Sequence, residues 1–170
     1  MKHLLKILPL IVIAAILSAC NSDGCTDGSR ALPHAVMYKV GTNEKTSVSN
    51  LPVYGIGAPG DSMIVDTSTV SEFYLPLRPS ADETRFVIDY TDLDHVSDTL
   101  TMHYEAVPYF VSEDCGVTFF YNITSYEHTQ HVINQVEIAD PLITNVDRVS
   151  VRIYYDPDAL KASETTSDSE

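Results

Sequence analysis

Acidic residues that suit a hard cation are concentrated in one short stretch of the chain. Four carboxylates fall within ten residues: Asp89, Asp92, Asp94 and Asp98. Carboxylate oxygens are the ligands that Ca²⁺ prefers, but the stretch lacks the central glycine and the closing glutamate of an EF-hand loop. A turn between two strands explains the same residues, because Asp favours turn geometry. A calcium site and a structural turn both stay open as interpretations.

The first twenty residues carry the features of a lipoprotein export signal. A short basic start precedes an apolar run, residues 7–17, which is shorter than the roughly 20 residues a membrane-spanning helix needs. A buried core helix is the alternative, but the segment has no polar face. Leu17-Ser18-Ala19-Cys20 has the order of a bacterial lipobox. We predict that residues 1–19 are a removed signal peptide and that Cys20 carries palmitate and further acyl chains, which makes attachment to the membrane permanent.

The residues after Cys20 bear on the destination of the protein. Asn21 stands where an aspartate would favour the inner membrane under the sorting rules of enteric bacteria. The expected location is therefore the cell envelope, with the protein lipid-anchored in the outer membrane. The periplasmic face and the cell surface both stay open.

Two cysteines remain once Cys20 is lipidated, Cys25 and Cys115. In an oxidising compartment such a pair favours a disulfide bond over a metal site or a reactive thiol. Two separate free cysteines are the alternative. A closed loop of this size would stabilise the fold by roughly 4–5 kcal/mol in the chain-entropy model.

No catalytic set is recognisable. The chain has no G-x-S-x-G sequence for a serine nucleophile, and Glu113 and Asp114 beside Cys115 disfavour the thiolate that a cysteine nucleophile needs. We therefore predict that the protein is not an enzyme, and no cofactor is implied. An envelope-polymer hydrolase stays an alternative, since acids are abundant and a glycosidase needs two of them across a cleft.

The elements that position these residues are strands. Apolar and polar residues alternate along much of the chain, which is typical of half-buried strands. The alternating runs lie at 36–40, 63–66, 73–75, 86–90, 100–105, 109–111, 117–124, 132–138 and 149–155. The predicted fold is all-β, a single antiparallel sandwich or partly open barrel of about 8–9 strands. We predict a lipidated tether at 20–31, the β-domain at 32–156 and a disordered acidic tail at 157–170.

Composition excludes one class of partner. The 170-residue chain has 10 Lys and Arg against 24 Asp and Glu, with a formal net charge of −14. An acidic surface repels phosphate backbones, so no nucleic acid is expected to bind.

Several short motifs resemble those of a family of small Bacteroidetes lipoproteins that carries a domain of unknown function. Besides the lipobox and Cys25, the motifs are Tyr54-Gly55-Ile56-Gly57, Phe73-Tyr74-Leu75-Pro76-Leu77 and residues 111–116, VSEDCG. The resemblance implies a lipid-anchored β-domain and supplies no catalytic residues. If the source is such an organism, Ser62 and Thr99 lie in sequences that resemble its O-glycosylation motif.

The expected role is therefore a non-enzymatic binding or structural β-domain held at the membrane by its lipid. An exposed sheet face or loop would bind an envelope protein or a glycan. A calcium- or glycan-binding module that uses residues 89–98 is the alternative.

Overall fold

The alternating segments form strands whose apolar side chains share one core. The computed structural model describes residues 30–57, 61–93, 96–113, 115–156 and 158. β-Branched and aromatic residues dominate these strands, because such side chains suit a pleated, half-buried surface. The strands are β1 (His34–Lys39), β2 (Val53–Ile56), β3 (Ser62–Val65), β4 (Glu72–Tyr74), β5 (Glu83–Tyr90), β6 (Val96–Ser112), β7 (Gly116–His128), β8 (Ile133–Ile138), β9 (Leu142–Ile143) and β10 (Val149–Tyr155), with a 3₁₀ turn at Thr91–Leu93.

Two sheets form the domain. The smaller has the strand order β4-β1-β10-β8, and the larger has the order β3-β2-β5-β6-β7-β9. One of the two sheets curls into a half-barrel. The predicted all-β class, a sandwich or partly open barrel, is confirmed.

One strand pair departs from the predicted antiparallel arrangement. β1 and β10 run parallel, with Met37 opposite Ile153. The other strand pairs of the described residues are antiparallel. A parallel pair needs a long connection, and here the connection is all the chain between the first and last strands.

The core lies between the two sheets. Fully buried side chains from the smaller sheet, such as Met37 and Ile153, belong to the same apolar cluster as Phe86 and Leu100 of the larger sheet. β1 differs from a half-buried strand, because Ala35, Val36 and Met37 are all fully buried.

The strand count also differs from the prediction. β2 and β9 have no counterpart among the predicted runs, since β9 has only two residues and β2 contains Gly55. The predicted runs at 100–105 and 109–111 join into one strand of 17 residues, β6.

The ends of the chain lie outside the described residues. The predicted signal peptide, most of the tether and nearly all of the acidic tail fall there, so those boundaries stay predictions. No helix in the described part of the chain is long and apolar enough to cross a bilayer.

Candidate binding surface

The burial of the β6 side chains changes halfway along the strand. In its first half every second residue is buried, namely Asp98, Leu100, Met102 and Tyr104. From residue 105 to its end at Ser112, no residue of β6 is buried. The first half is therefore part of the core, whereas the second half extends beyond it after Ala106, which still packs against the core.

The second half of β6 pairs with the start of β7 to form a two-stranded arm, residues 106–112 and 116–120. β5 follows β6 only as far as His103, and β9 pairs with β7 only at Tyr121 and Asn122. In the residues that the structure describes, no third strand flanks the arm on either edge. Such an edge is a template for pairing with another chain unless something protects it.

One face of the arm continues the face that is buried in the core. Ala106 lies opposite Tyr121, and Phe110 lies opposite Val117. Because alternate residues of a strand share a face, Phe110 and Val117 are on the side of the buried Tyr121. Phe110 is nevertheless 62% exposed and Val117 is 57% exposed. We call this the inner face of the arm.

The outer face of the arm is also apolar. Val107 is 51% exposed and Tyr109 is 49% exposed. The Tyr109 ring stacks on Phe120 with ring centroids 4.4 Å apart and planes inclined by 18°. Exposed apolar side chains on both faces distinguish the arm from an ordinary strand, which has one solvated polar face.

A tight turn closes the arm. The Ser112 hydroxyl oxygen accepts a hydrogen bond from the Cys115 backbone N–H at 3.1 Å. Gly116 then has a φ of 68°, a left-handed conformation that glycine adopts without steric cost. Cys115 consequently lies at the tip of the arm, next to the start of β7.

The part of the sequence that forms the arm contains no Lys or Arg. The sequence contains no Lys or Arg between Arg85 and Arg148, while Glu105 and Glu113 are exposed. The arm can therefore recognise a partner through apolar contact, and an anionic partner gains nothing from its charge.

The acidic segment does not present its carboxylates to a common point. Asp92 accepts hydrogen bonds from Ser49 Oγ at 3.1 Å and from Asn50 Nδ2 at 2.7 Å. Asp89 lies in β5 opposite Ser97, and Asp94 is outside the described residues. No group of three or more His, Cys, Asp or Glu in the described part of the chain could hold a metal ion. The calcium site stays a prediction.

Asp98 has a structural role that its sequence context did not reveal. Its side chain is fully buried. Oδ1 accepts hydrogen bonds from Thr129 Oγ1 at 2.7 Å and from the His131 N–H at 2.8 Å. Oδ2 accepts from the N–H groups of Val132 and Ile133, both at 2.8 Å. These four donors lie where the chain passes from β7 in the larger sheet to β8 in the smaller one, so Asp98 fixes the crossover.

Tyr90 is buried beside this crossover. Burial, followed by the negative charge of Asp98, raises the pKa of Tyr90 well above its ordinary value. Its hydroxyl is buried close to the Asp98 side chain. Tyr90 is therefore held neutral.

A second polar cluster joins His34, Tyr74 and Asp147. His34 Nδ1 is 2.9 Å from Asp147 Oδ1, and the Tyr74 hydroxyl donates to Asp147 Oδ2 at 2.9 Å. That hydrogen bond, followed by burial, raises the pKa of Tyr74. His34 Nε2 is buried and makes no hydrogen bond within the described chain, and the Glu72 carboxylate is 3.7 Å away. Through these contacts Asp147, which lies in the loop before β10, is held against the smaller sheet.

The cavities among the described residues differ in character: one is apolar, and a larger one of about 470 Å³ is lined mainly by polar residues such as Asn134 and Gln135. One apolar cavity, with a volume of about 160 Å³, is lined by residues that include Ile64, Leu77 and Phe86. Pockets that bind small molecules have volumes of roughly 300–1,000 Å³. The apolar cavity is therefore a weaker candidate than the arm.

The predicted glycosylation and cysteine sites lie in different parts of the chain. Ser62 is exposed at the start of β3, whereas Thr99 is half-buried within β6 opposite Val87. Cys20 and Cys25 lie outside the described residues, so lipidation and the pairing with Cys115 stay predictions. Sequence reasoning missed the arm, although the apolar residues at both odd and even positions of 106–111 and 117–120 were a signal for it.

Comparison with known proteins gives one match. Residues 50–155 match the model of a family of unknown function, DUF6452. No curated protein and no solved structure matches the chain.

Proposed function

The chain belongs to the DUF6452 family, whose function is unknown, and we propose that it is a lipid-anchored cell-envelope protein. In this proposal the β-domain binds another component of the envelope through its arm and catalyses no reaction. The observation that carries the binding role is the arm, an apolar two-stranded extension that no other described strand covers.

The lipid anchor is supported by sequence features at one end of the chain. The lipobox ends at Cys20, and the apolar run before it is shorter than a membrane-spanning helix. The two remaining cysteines agree with export, since we propose that Cys25 and Cys115 form a disulfide bond. Disulfide bonds persist in oxidising compartments such as the bacterial periplasm.

The binding role is supported by the exposure of large apolar side chains on the arm. Monomeric proteins rarely expose contiguous apolar patches, and such patches mark sites of protein or membrane interaction. Phe110 and Val117 would lose most of their contact with water if a partner covered the inner face. Their burial would favour binding by about 25 cal/mol for each Å² of apolar surface removed from water.

Mass spectrometry of the full chain expressed in a Gram-negative bacterium tests the anchor. We expect the purified protein to begin at Cys20 and to carry two or three acyl chains there. A matched Cys20→Ser variant should keep residues 1–19 and incorporate no labelled palmitate. A wild-type protein with an unmodified thiol at position 20 would refute the anchor.

Crosslinking in solubilised envelopes tests the binding role. A photoreactive residue at position 110 should capture an envelope component, either a protein or a membrane lipid. The same residue at Met63, which is 57% exposed on β3, is the matched control and should capture none. Equal capture from both positions would contradict a binding role for the arm.

A further inference from the structure

The arm needs a covering surface, and its place in the chain indicates which one. An isolated two-stranded hairpin is only marginally stable in water, yet this arm exposes apolar side chains on both faces. We propose that the arm lies in the interface of the membrane that holds the lipid anchor, with its inner face against the acyl chains. This inference rests on the proposed anchor at Cys20 and on the proposed bond between Cys25 and Cys115.

The length of the tether brings the tip of the arm to the membrane. Cys25 lies five residues after Cys20 in the sequence. Five residues of fully extended chain span at most about 18 Å. A disulfide places its two Cα atoms about 6 Å apart. With Cys20 acylated and Cys25 bonded to Cys115, the tip of the arm stays within reach of the lipid headgroups.

The side chains of the arm are those that the membrane interface selects. Aromatic residues concentrate at the level of the headgroups, where a ring contacts both apolar and polar surroundings. The arm has four of them: Tyr109 and Phe110 are exposed, whereas Phe119 and Phe120 are half-buried and pack against the core. Apolar faces of interfacial segments are buried by roughly 5–10 Å at the boundary between headgroups and acyl chains. That depth suits the inner face and leaves the carboxylate of Glu113 among the headgroups.

Charge separates this contact from the usual electrostatic attraction to lipids. The arm has no Lys or Arg, and the chain has a formal net charge of −14. Anionic lipids repel such a surface, and salt weakens that repulsion. Added salt should therefore leave the contact unchanged or strengthen it, whereas a contact made through basic residues would weaken.

The chain contains no tryptophan, so a Phe110→Trp variant has a single fluorescent reporter on the inner face. The full lipidated variant would be reconstituted into vesicles of phosphatidylethanolamine and phosphatidylglycerol with brominated acyl chains. We expect bromine near the headgroup end to lower the emission about twofold, and bromine near the methyl end to lower it less, because the contact is interfacial. A Met63→Trp variant on β3 is the control, and its emission should not change.

Cysteine replacement tests the role of the tether. In the Phe110→Trp background, Cys25→Ser together with Cys115→Ser releases the tip while Cys20 keeps its lipid. Quenching of Trp at position 110 should fall toward the value for the Met63→Trp control. Quenching that persists at full strength would show that the arm does not depend on the proposed bond.

The outcomes separate this inference from the proposed anchor. Vesicle flotation and the mass of the N-terminal peptide report the lipid independently of fluorescence. A lipidated chain that floats with unquenched emission at position 110 would overturn the membrane contact and leave the anchor standing. An unlipidated chain that does not float would overturn both. Blue-shifted emission without quenching would place the arm against a second copy of the chain, which also overturns the proposal.

Discussion

The two halves of β6 share one strand but have different surroundings. From Asp98 to Tyr104 alternate side chains are buried between the sheets, and Asp98 accepts four hydrogen bonds from the crossover into β8. From Ala106 to Ser112 the same strand continues, and no third strand of the described residues lies beside this pair of β6 and β7. Strand pairing and side-chain burial are therefore separate properties of β6, because burial depends on what packs against the face of the sheet.

The first test removes the negative charge of Asp98 from the buried half of β6. Asp98→Asn replaces one carboxylate oxygen with an N–H₂ group that faces backbone donors. An unsatisfied buried donor costs about 1–3 kcal/mol, and two N–H groups share Oδ2. We expect the free energy of unfolding to fall by about 4 kcal/mol, measured by urea denaturation.

Asp92→Asn is the matched control from the same acidic segment. Asp92 is exposed and accepts hydrogen bonds from the Ser49 and Asn50 side chains. We expect a loss of about 0.5 kcal/mol, because exposed polar pairs contribute little. Equal losses in the two variants would contradict the structural role assigned to Asp98.

The second test removes apolar side chains from the two halves. Leu100 is fully buried, and a buried Leu→Ala substitution costs about 3 kcal/mol through lost contacts and the cavity that remains. Phe110→Ala in the arm should change the free energy of unfolding by less than about 0.5 kcal/mol in detergent-free solution. A large loss from Phe110→Ala would mean that the arm belongs to the core.

Much of the fold could be predicted because alternation is a local property. Residues 117–124 and 149–155 alternate clearly, and they form β7 and β10. The parallel pairing of β1 with β10 could not be predicted, because it depends on how two distant strands meet in the smaller sheet. A two-residue strand such as β9 leaves no periodic signal at all.

The candidate site was harder to predict than the fold. Tyr109–Val111 was recognised as a short run, but its exposure depends on the ends of β5 and β9, which no local pattern records. The sequence of the acidic segment is ambiguous for a related reason. A run of Asp residues looks alike whether a side chain is exposed, as Asp92 is, or buried against backbone N–H groups, as Asp98 is.

The third test uses the dependence of stability on pH that arises from the buried Tyr90. The raised pKa of Tyr90 means that only the unfolded chain ionises this residue as the pH rises through about 10. The stability that Tyr90 contributes is complete below that pH and is lost as the pH rises toward its folded pKa. Tyr90→Phe should therefore unfold less readily in alkali than the wild type, as measured by urea denaturation at rising pH. At neutral pH the two proteins should have nearly equal stability.

Tyr109→Phe is the control for the alkaline experiment. It removes one tyrosine hydroxyl from the exposed arm, where the ring is 49% exposed. Its alkaline unfolding curve should follow that of the wild type. A Tyr90→Phe curve that also follows the wild type would refute the coupling between Tyr90, its burial and Asp98.

The smallest expected effect concerns the stacked rings on the outer face of the arm. Tyr109→Ala removes the stack on Phe120, and such a pair contributes about 0.5–1.5 kcal/mol beyond its buried area. Because no third strand of the described part of the chain flanks the arm, the loss should appear as faster local opening, with global stability nearly unchanged. Hydrogen exchange should accelerate at the amides of 106–111 and 117–120 by about tenfold, the factor that corresponds to 1.4 kcal/mol, while the amides of 98–104 keep their protection. Uniform acceleration along all of β6 would show that its two halves open as one unit, and the contrast between them would then be one of exposure alone.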